Sequence, residues 1–142
     1  IIEEGSGMNR ICVIYWSGTG NTQAMAEAVA RGAGAELFSC EDFDAQKLNE
    51  YSAVAFGCPA MGAEVLEEEV FEPVFDACKP LLKDKRVALF GSYGWGDGEW
   101  MRNWEDDCRT AGAVLVCDSV ICQETPDDDA IAACEKLGEA LK

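Results

Sequence analysis

The chain has 142 residues, 49% of them hydrophobic, and a formal net charge of −16. That length supports one domain with a packed core and is too short for two. The acidic balance repels nucleic acid and anionic lipid, and it serves either attraction of basic protein partners or plain solubility.

The opening "IIEEGSG" (1–7) precedes Met8 and reads as a vector-derived scar or leader, so residues 8–142 are expected to form the single domain. The first predicted strand is "ICVIYW" (11–16). A small hydroxyl-rich loop follows, then a helix from Thr22 with Met25, Ala28 and Val29 on one face, stopped by Gly32 and Gly34. "AELFSC" (35–40) is the second strand, and "FDAQKLNEY" (43–51) a short helix with Ala45 and Leu48 inward. The third strand, "AVAFGC" (53–58), leads into the loop "CPAMGAE" (58–64). In 65–83, Leu66, Val70, Val74 and Cys78 recur at helical spacing, with Pro73 a kink or restart. "RVALFG" (86–91) is the fourth strand and "GSYGWGDG" (91–98) its loop. Asp97 can cap a helix running to Gly112, whose stripe of Trp100, Met101, Trp104 and Cys108 belongs in the core. "AVLVCDSVIC" (113–122) is the fifth strand, and Asp127 or Asp128 caps a last helix with Ile131, Cys134, Leu137 and Leu141 inward.

Most of these strands are continuously apolar, as in a parallel sheet covered on both faces. The alternating order predicts an α/β, three-layer doubly wound fold with five parallel strands in the order 2-1-3-4-5. Its ligand crevice lies beyond the carboxyl ends of the first and third strands.

The chain has no histidine, so the usual general base is missing. The cysteines, Cys12, Cys40, Cys58, Cys78, Cys108, Cys117, Cys122 and Cys134, form no CxxC pair. Zinc and iron–sulfur centres need clustered ligands, so no metal is expected. These thiols read as small buried hydrophobes kept reduced in the cytoplasm. The acidic start lacks a signal-peptide pattern, and no apolar run approaches the ~18 residues of a membrane span.

The loop "SGTGNT" (17–22) admits several readings. As a triphosphate loop it lacks the lysine of GK[ST]. As a dinucleotide fingerprint it has Gly18 and Gly20, with Glu41 after the second strand, but Gln23 stands at the third glycine position. As a monophosphate nest it offers the hydroxyls of Ser17, Thr19 and Thr22, two glycines that let N–H groups turn inward, and a helix N-terminus. A tight turn with a threonine cap is the plain structural alternative. In the second loop, Met61 can lie over a flat ring, Gly62 can flip its peptide, and Glu64 can accept from a ring N–H. In the third, Tyr93 and Trp95 sit between glycines where they can stack on a planar ligand. A phosphate cradle, a methionine, aromatics and an acceptor together describe a phosphorylated flat heteroaromatic, with no nucleophile–base pair.

Through "VIYWSGTGNTQAMA", "GCPAMGAE", "ALFGSYGWGDGEWM" and the tail "PDDD…C…LG", the chain resembles the short-chain flavodoxins of the clostridial type, from Ile11 to Lys142. The fifth strand carries no long insertion, which marks the short-chain group. The resemblance implies non-covalent FMN and low-potential one-electron transfer between semiquinone and hydroquinone, without enzyme activity of its own. It implies that Ser17, Gly18, Thr19, Gly20, Asn21 and Thr22 hold the phosphate. Met61 would flank one flavin face and Trp95 the other. Glu64 would accept from the flavin N3–H, and the Gly62 carbonyl would turn toward N5–H, giving a neutral blue radical. Pro59, Ala60, Ala63, Ser92, Tyr93, Gly94 and Gly96 would complete the cofactor-binding set. Ala63 stands where relatives often have Asp. Trp16 is read as filling space at the strand end, and Glu124 is given no role.

The absence of a cation in the phosphate loop has a consequence for potential. A fixed charge ~10 Å from the ring, at an effective dielectric constant of ~20, opposes full reduction by about 1.7 kcal/mol, or roughly 70 mV. Expected partners are basic reductases and low-potential acceptors, steered to a monomer by Glu64, Glu67, Glu68, Asp97 and Glu99. An FMN-dependent NAD(P)H reductase is the alternative. A receiver-type signalling module fits poorly, since Ser17-Gly18 and Pro59-Ala60 occupy its acidic positions.

Overall fold

The computed structural model describes residues 10–62 and 64–142. The reading of 1–7 as a scar or leader therefore lies outside the described residues, as does Ala63. The elements are β1 (Ile11–Tyr15), α1 (Asn21–Ala33), β2 (Glu36–Ser39), β3 (Ala53–Gly57), α2 (Phe71–Cys78), β4 (Arg86–Tyr93), α3 (Glu99–Thr110), β5 (Val114–Leu115), β6 (Val120–Gln123) and α4 (Asp128–Ala140). All strand pairs are parallel, in the order β2-β1-β3-β4-β5, and β6 also pairs with β4.

The side-chain period of 2 in a strand divides the core into two clusters. Cys12, Ile14, Val54, Phe56, Val87 and Leu89 face α2 and α3, where Phe71, Phe75, Trp100 and Trp104 pack. Ile11, Val13, Ala53, Ala55, Ala88 and Phe90 face α1 and α4. Both faces being covered explains why β1, β3 and β4 read as unbroken apolar runs. Trp100 and Trp104 are each 2% exposed, as their helical spacing predicts.

Helices α1 and α4 touch backbone to backbone. A methyl group on Gly32 would collide with the carbonyl of Glu135, and one on Gly138 with the carbonyl of Val29. Gly32 therefore lies inside α1 as a packing notch. Gly34, with φ 64°, is the residue that ends the helix.

Several boundaries differ from the sequence reading. The predicted helix at 43–51 is a 3-10 segment, Ala45–Glu50, capped by Asp44, whose carboxylate accepts from the Gln46 N–H at 3.0 Å. It is too short and polar to sustain α-helix. The helix expected from Val65 begins only at Phe71, because Glu67 folds inward and accepts from the N–H groups of Glu69, Val70 and Phe71 at 2.9, 2.8 and 2.7 Å. Pro73 then falls in the first turn, where no amide is needed, so it is neither kink nor restart. Asp97 does not cap α3; Gly98 does, at φ 92°, while Asp97 pairs with Arg102. The single strand expected at 113–122 is split into β5 and β6, and between them Ser119 donates its hydroxyl proton to Glu105 on α3. Asp127 caps α4, accepting from the Ala130 N–H at 2.8 Å.

All eight cysteines are free thiols, six buried and two half-buried. No cluster that could hold a metal ion occurs among the described residues. None of the described helices is long and apolar enough to cross a membrane.

Candidate functional site

The parallel order sends the loops after β1, β3, β4 and β6 to one edge of the sheet. There they enclose a cleft of about 340 Å³, within the ~300–1,000 Å³ typical of small-molecule sites. Ser17, Gly18, Thr19, Asn21 and Thr22 line it from the first loop, Pro59, Ala60 and Met61 from the second, and Ser92, Tyr93 and Gly94 from β4 and the third. Trp16 and Glu124 line it as well.

The first loop is held by its own hydrogen bonds. Gly20 has φ 97° and forms the N-cap of α1 without a side-chain cap. That backbone turn demands glycine. Ser17 Oγ accepts from the N–H groups of Gly20 at 3.0 Å and Gln23 at 3.2 Å, which leaves its O–H proton free to donate outward. The N–H groups of Gly18, Thr19 and Thr22 find no partner among the described residues. Thr22, expected as an outward donor, is 1% exposed, and its Oγ1 lies 3.0 Å from Ser92 Oγ. That buried pair ties the first loop to β4.

The second and third loops are tied to each other. Ala60 N–H donates to the Ser92 carbonyl at 3.0 Å, and the Trp100 indole N–H to the Cys58 carbonyl at 3.2 Å. The Met61–Glu64 turn closes through Glu64 N–H to the Met61 carbonyl at 2.7 Å, with Glu64 at φ 54°. The Glu64 carboxylate accepts from the Glu99 N–H at 2.9 Å, the first amide of α3. Gly96, at φ 90°, lies directly against this carboxylate: a methyl group there would stand 2.5 Å from Glu64 Cδ. On the far side, Gln123 Nε2 donates to the Gly94 carbonyl at 3.3 Å, and Glu124 N–H to the Tyr93 carbonyl at 2.8 Å.

Five of the sequence-derived candidates stand outside the cleft lining: Gly20, Gly62, Glu64, Trp95 and Gly96. Gly20 shapes the loop from behind. Glu64 and Gly96 face each other beside α3, and Trp95 is 61% exposed at the loop tip. Sequence reasoning missed Trp16 and Glu124. Trp16 adjoins the loop but closes an apolar run, so it reads as core. Glu124 holds φ 60°, which nothing in a glutamate announces.

Chemically, one end of the cleft offers hydroxyl and amide donors at a helix N-terminus, with no carboxylate in that loop. The middle offers the apolar surfaces of Met61, Ala60 and Tyr93. This donor set fits a phosphate monoester attached to a flat apolar ring, which is the shape of FMN.

The comparisons define the family. The Flavodoxin family profile matches residues 13–138. The flavodoxin of Megasphaera elsdenii is 45% identical over 133 residues, covering 90% of this chain and 95% of its own. That of Clostridium beijerinckii is 42% identical over 134 residues, covering 91% and 96%. The solution structure of the two-electron reduced Megasphaera elsdenii flavodoxin superposes with a TM-score of 0.84 at 41% identity, over 92% of this chain and 97% of that one. The chain belongs to the flavodoxin family. Flavodoxins bind FMN and carry electrons rather than catalyse a reaction of their own, and the chain is an FMN-binding electron carrier of that kind.

Proposed function

We propose that this protein is a low-potential one-electron carrier that works between the semiquinone and hydroquinone forms of its FMN and docks briefly with basic redox proteins. The observation that carries the reading is a phosphate-sized cradle with no lysine or arginine, joined to an apolar slot in one cleft. When bound, FMN supplies the one-electron chemistry; the chain's residues bind it, orient it and set the charge around it. Ser17 donates its free O–H to the phosphate, joined by the amides of Gly18, Thr19 and Thr22 at the positive end of α1. Gly20 and Asn21 set the turn and the first residue of that helix.

Pro59, Ala60 and Met61 would form the wall on one ring face, with Gly62 just outside it. Ser92, Tyr93 and Gly94, which line the cleft, would form the inner edge, and Trp95, exposed outside that lining with Gly96 beside it, would have to fold over the outer face. The Glu64 carboxylate accepts from the Glu99 amide through Oε2 and keeps Oε1 for the ring N–H, so one side chain can serve both ring recognition and the start of α3. A neutral cradle leaves the phosphate charge uncompensated, which opposes full reduction of the flavin.

Glu68 and Glu69, which follow β3, and Asp97 and Glu99, which follow β4, are all exposed and supply the acidic steering surface. Glu67 is removed from the steering set, being 6% exposed and turned inward onto α2. Burial pushes the Glu72 carboxyl up, the negative charges of Asp76 and Glu68 push it further, and Lys79 opposes them. The protein is proposed to act as a monomer in the cytoplasm.

Two results test this. Purified protein should show flavin absorption that bleaches with dithionite and withstands NAD(P)H alone; rapid bleaching by NAD(P)H would favour the reductase reading. Reduction by a basic reductase should slow steeply as salt shortens the Debye length below ~10 Å. A rate independent of ionic strength would contradict docking by charge.

A further inference from the structure

We infer that Trp16 is a positioning residue for the phosphate loop, and that through it the site distinguishes phosphorylated from unphosphorylated flavin. The inference rests on the FMN reading of the cleft. Trp16 is tied to the sheet by its N–H, which donates to the Gly57 carbonyl at 3.0 Å. Its side chain packs against the core cluster on the α2 and α3 side and also lines the cleft. The benzo edge of the indole lies against the loop: a methyl group on Gly18 would stand 3.0 Å from Trp16 Cη2 and 3.3 Å from Cζ3.

The two glycines of the loop are thus glycine for different reasons. Gly20 has φ 97° with open space around it, so its backbone demands glycine. Gly18 has no positive φ; it is the ring of Trp16 that crowds it, so that a side chain there must push the indole back by a few tenths of an ångström. The indole is a rigid wall whose position fixes how the backbone passes at Gly18. This matters because the loop holds no cation. A lysine reaches an anion through a flexible stem and tolerates error in the backbone. A cradle of N–H and O–H donors works only when each is placed within hydrogen-bond geometry, and that geometry is steep. Trp16 supplies the placement that charge would otherwise make unnecessary.

The test is equilibrium binding of FMN and of riboflavin to the full chain freed of flavin, read by quenching of flavin fluorescence, for wild type, Trp16→Leu, Gly18→Ala and the double variant. Loss of even one well-placed charged hydrogen bond corresponds to about tenfold or more in affinity, so FMN binding should weaken about tenfold in each single variant. Riboflavin, lacking the phosphate, should bind within about twofold of wild type in all of them. In the double variant the smaller residue at 16 makes room for the methyl group at 18, so its loss should be well below the product of the two single losses. An FMN-to-riboflavin ratio that stays at the wild-type value, or losses that multiply, would overturn the inference. If Trp16→Leu fails to fold by circular dichroism, Gly18→Ala alone decides, since its backbone carries no strain. Wild-type protein that binds neither flavin would refute the FMN reading itself.

Discussion

Replacing Glu67 with alanine is expected to lower the unfolding free energy by about 3 kcal/mol at neutral pH. The carboxylate is buried and is, among the described residues, the only side-chain acceptor for three successive amides at the start of α2, those of Glu69, Val70 and Phe71. Alanine leaves the buried Phe71 amide without its acceptor and the half-buried donors before it dependent on solvent. The same contacts give the prediction a pH dependence. Burial alone would raise the Glu67 carboxyl, but the amides of Phe71, Val70 and Glu69 together outweigh it and hold it below its ordinary value. The unfolded chain therefore binds this proton at a higher pH than the folded one does. The stability Glu67 contributes is complete above the unfolded value of ~4.3 and is lost as pH falls through the lower folded value. Glu67→Gln, which keeps the shape and one acceptor, should be less destabilising at pH 7, and its deficit should shrink on acidification. Urea unfolding of wild type and both variants from pH 7 to pH 3 measures this. A deficit that grows on acidification, or an alanine variant as stable as wild type, would show that Glu67 does not cap α2.

Gly138→Ala is expected to cost about 2 kcal/mol, although alanine is the better helix former. The intrinsic preference for alanine inside a helix is worth ~1 kcal/mol and favours the substitution. Against it stands a methyl group driven into the Val29 carbonyl of α1, a rigid helical backbone that cannot rotate aside as a side chain can. Overpacking of this kind costs ~3 kcal/mol, so the net is destabilising. Gly32→Ala meets the carbonyl of Glu135 on the other side of the same contact and should behave alike. Because the two sites share one interface, the double variant should lose less than the sum, as helices already pushed apart accept the second methyl group more easily. Thermal and urea midpoints decide it. Increased stability in either single variant would mean that helix propensity governs these positions and that α1 and α4 are not in close backbone contact.

Much of the fold is legible in the residues because both sheet faces are covered. "ICVIY" and "AVAFG" announce buried strands without ambiguity, and the alternation with helical segments fixes a doubly wound sheet. The tryptophan stripe of α3 is equally plain, and the cap of α4 narrows to Asp127 or Asp128, of which the structure selects Asp127. What escaped depends on contacts between distant residues. Glu67 lies in a run of three glutamates that looks like a solvated helix face, and only the fold turns it inward to delay α2 until Phe71. Asp97 has the chemistry of a cap, yet Glu64, 35 positions before Glu99, takes the first amide of α3. Gly32 reads as a helix stop and is a notch for α4.

The candidate site divides in the same way. Its local features, the hydroxyl loop and the glycine-rich loop after β4, could be read from short stretches and meet at one cleft. The inward turn of Thr22 onto Ser92, the wall made by Trp16 and the left-handed backbone of Glu124 could not, since each depends on what lies opposite.

The account's central claim is that a cation-free cradle binds FMN and that the protein then carries single electrons. Reductive titration of the purified protein in a spectroelectrochemical cell tests it most directly. The account predicts flavin absorption that disappears in two resolved one-electron steps, the second at the markedly lower potential. Absence of flavin after incubation with FMN, or a single two-electron step, would contradict it.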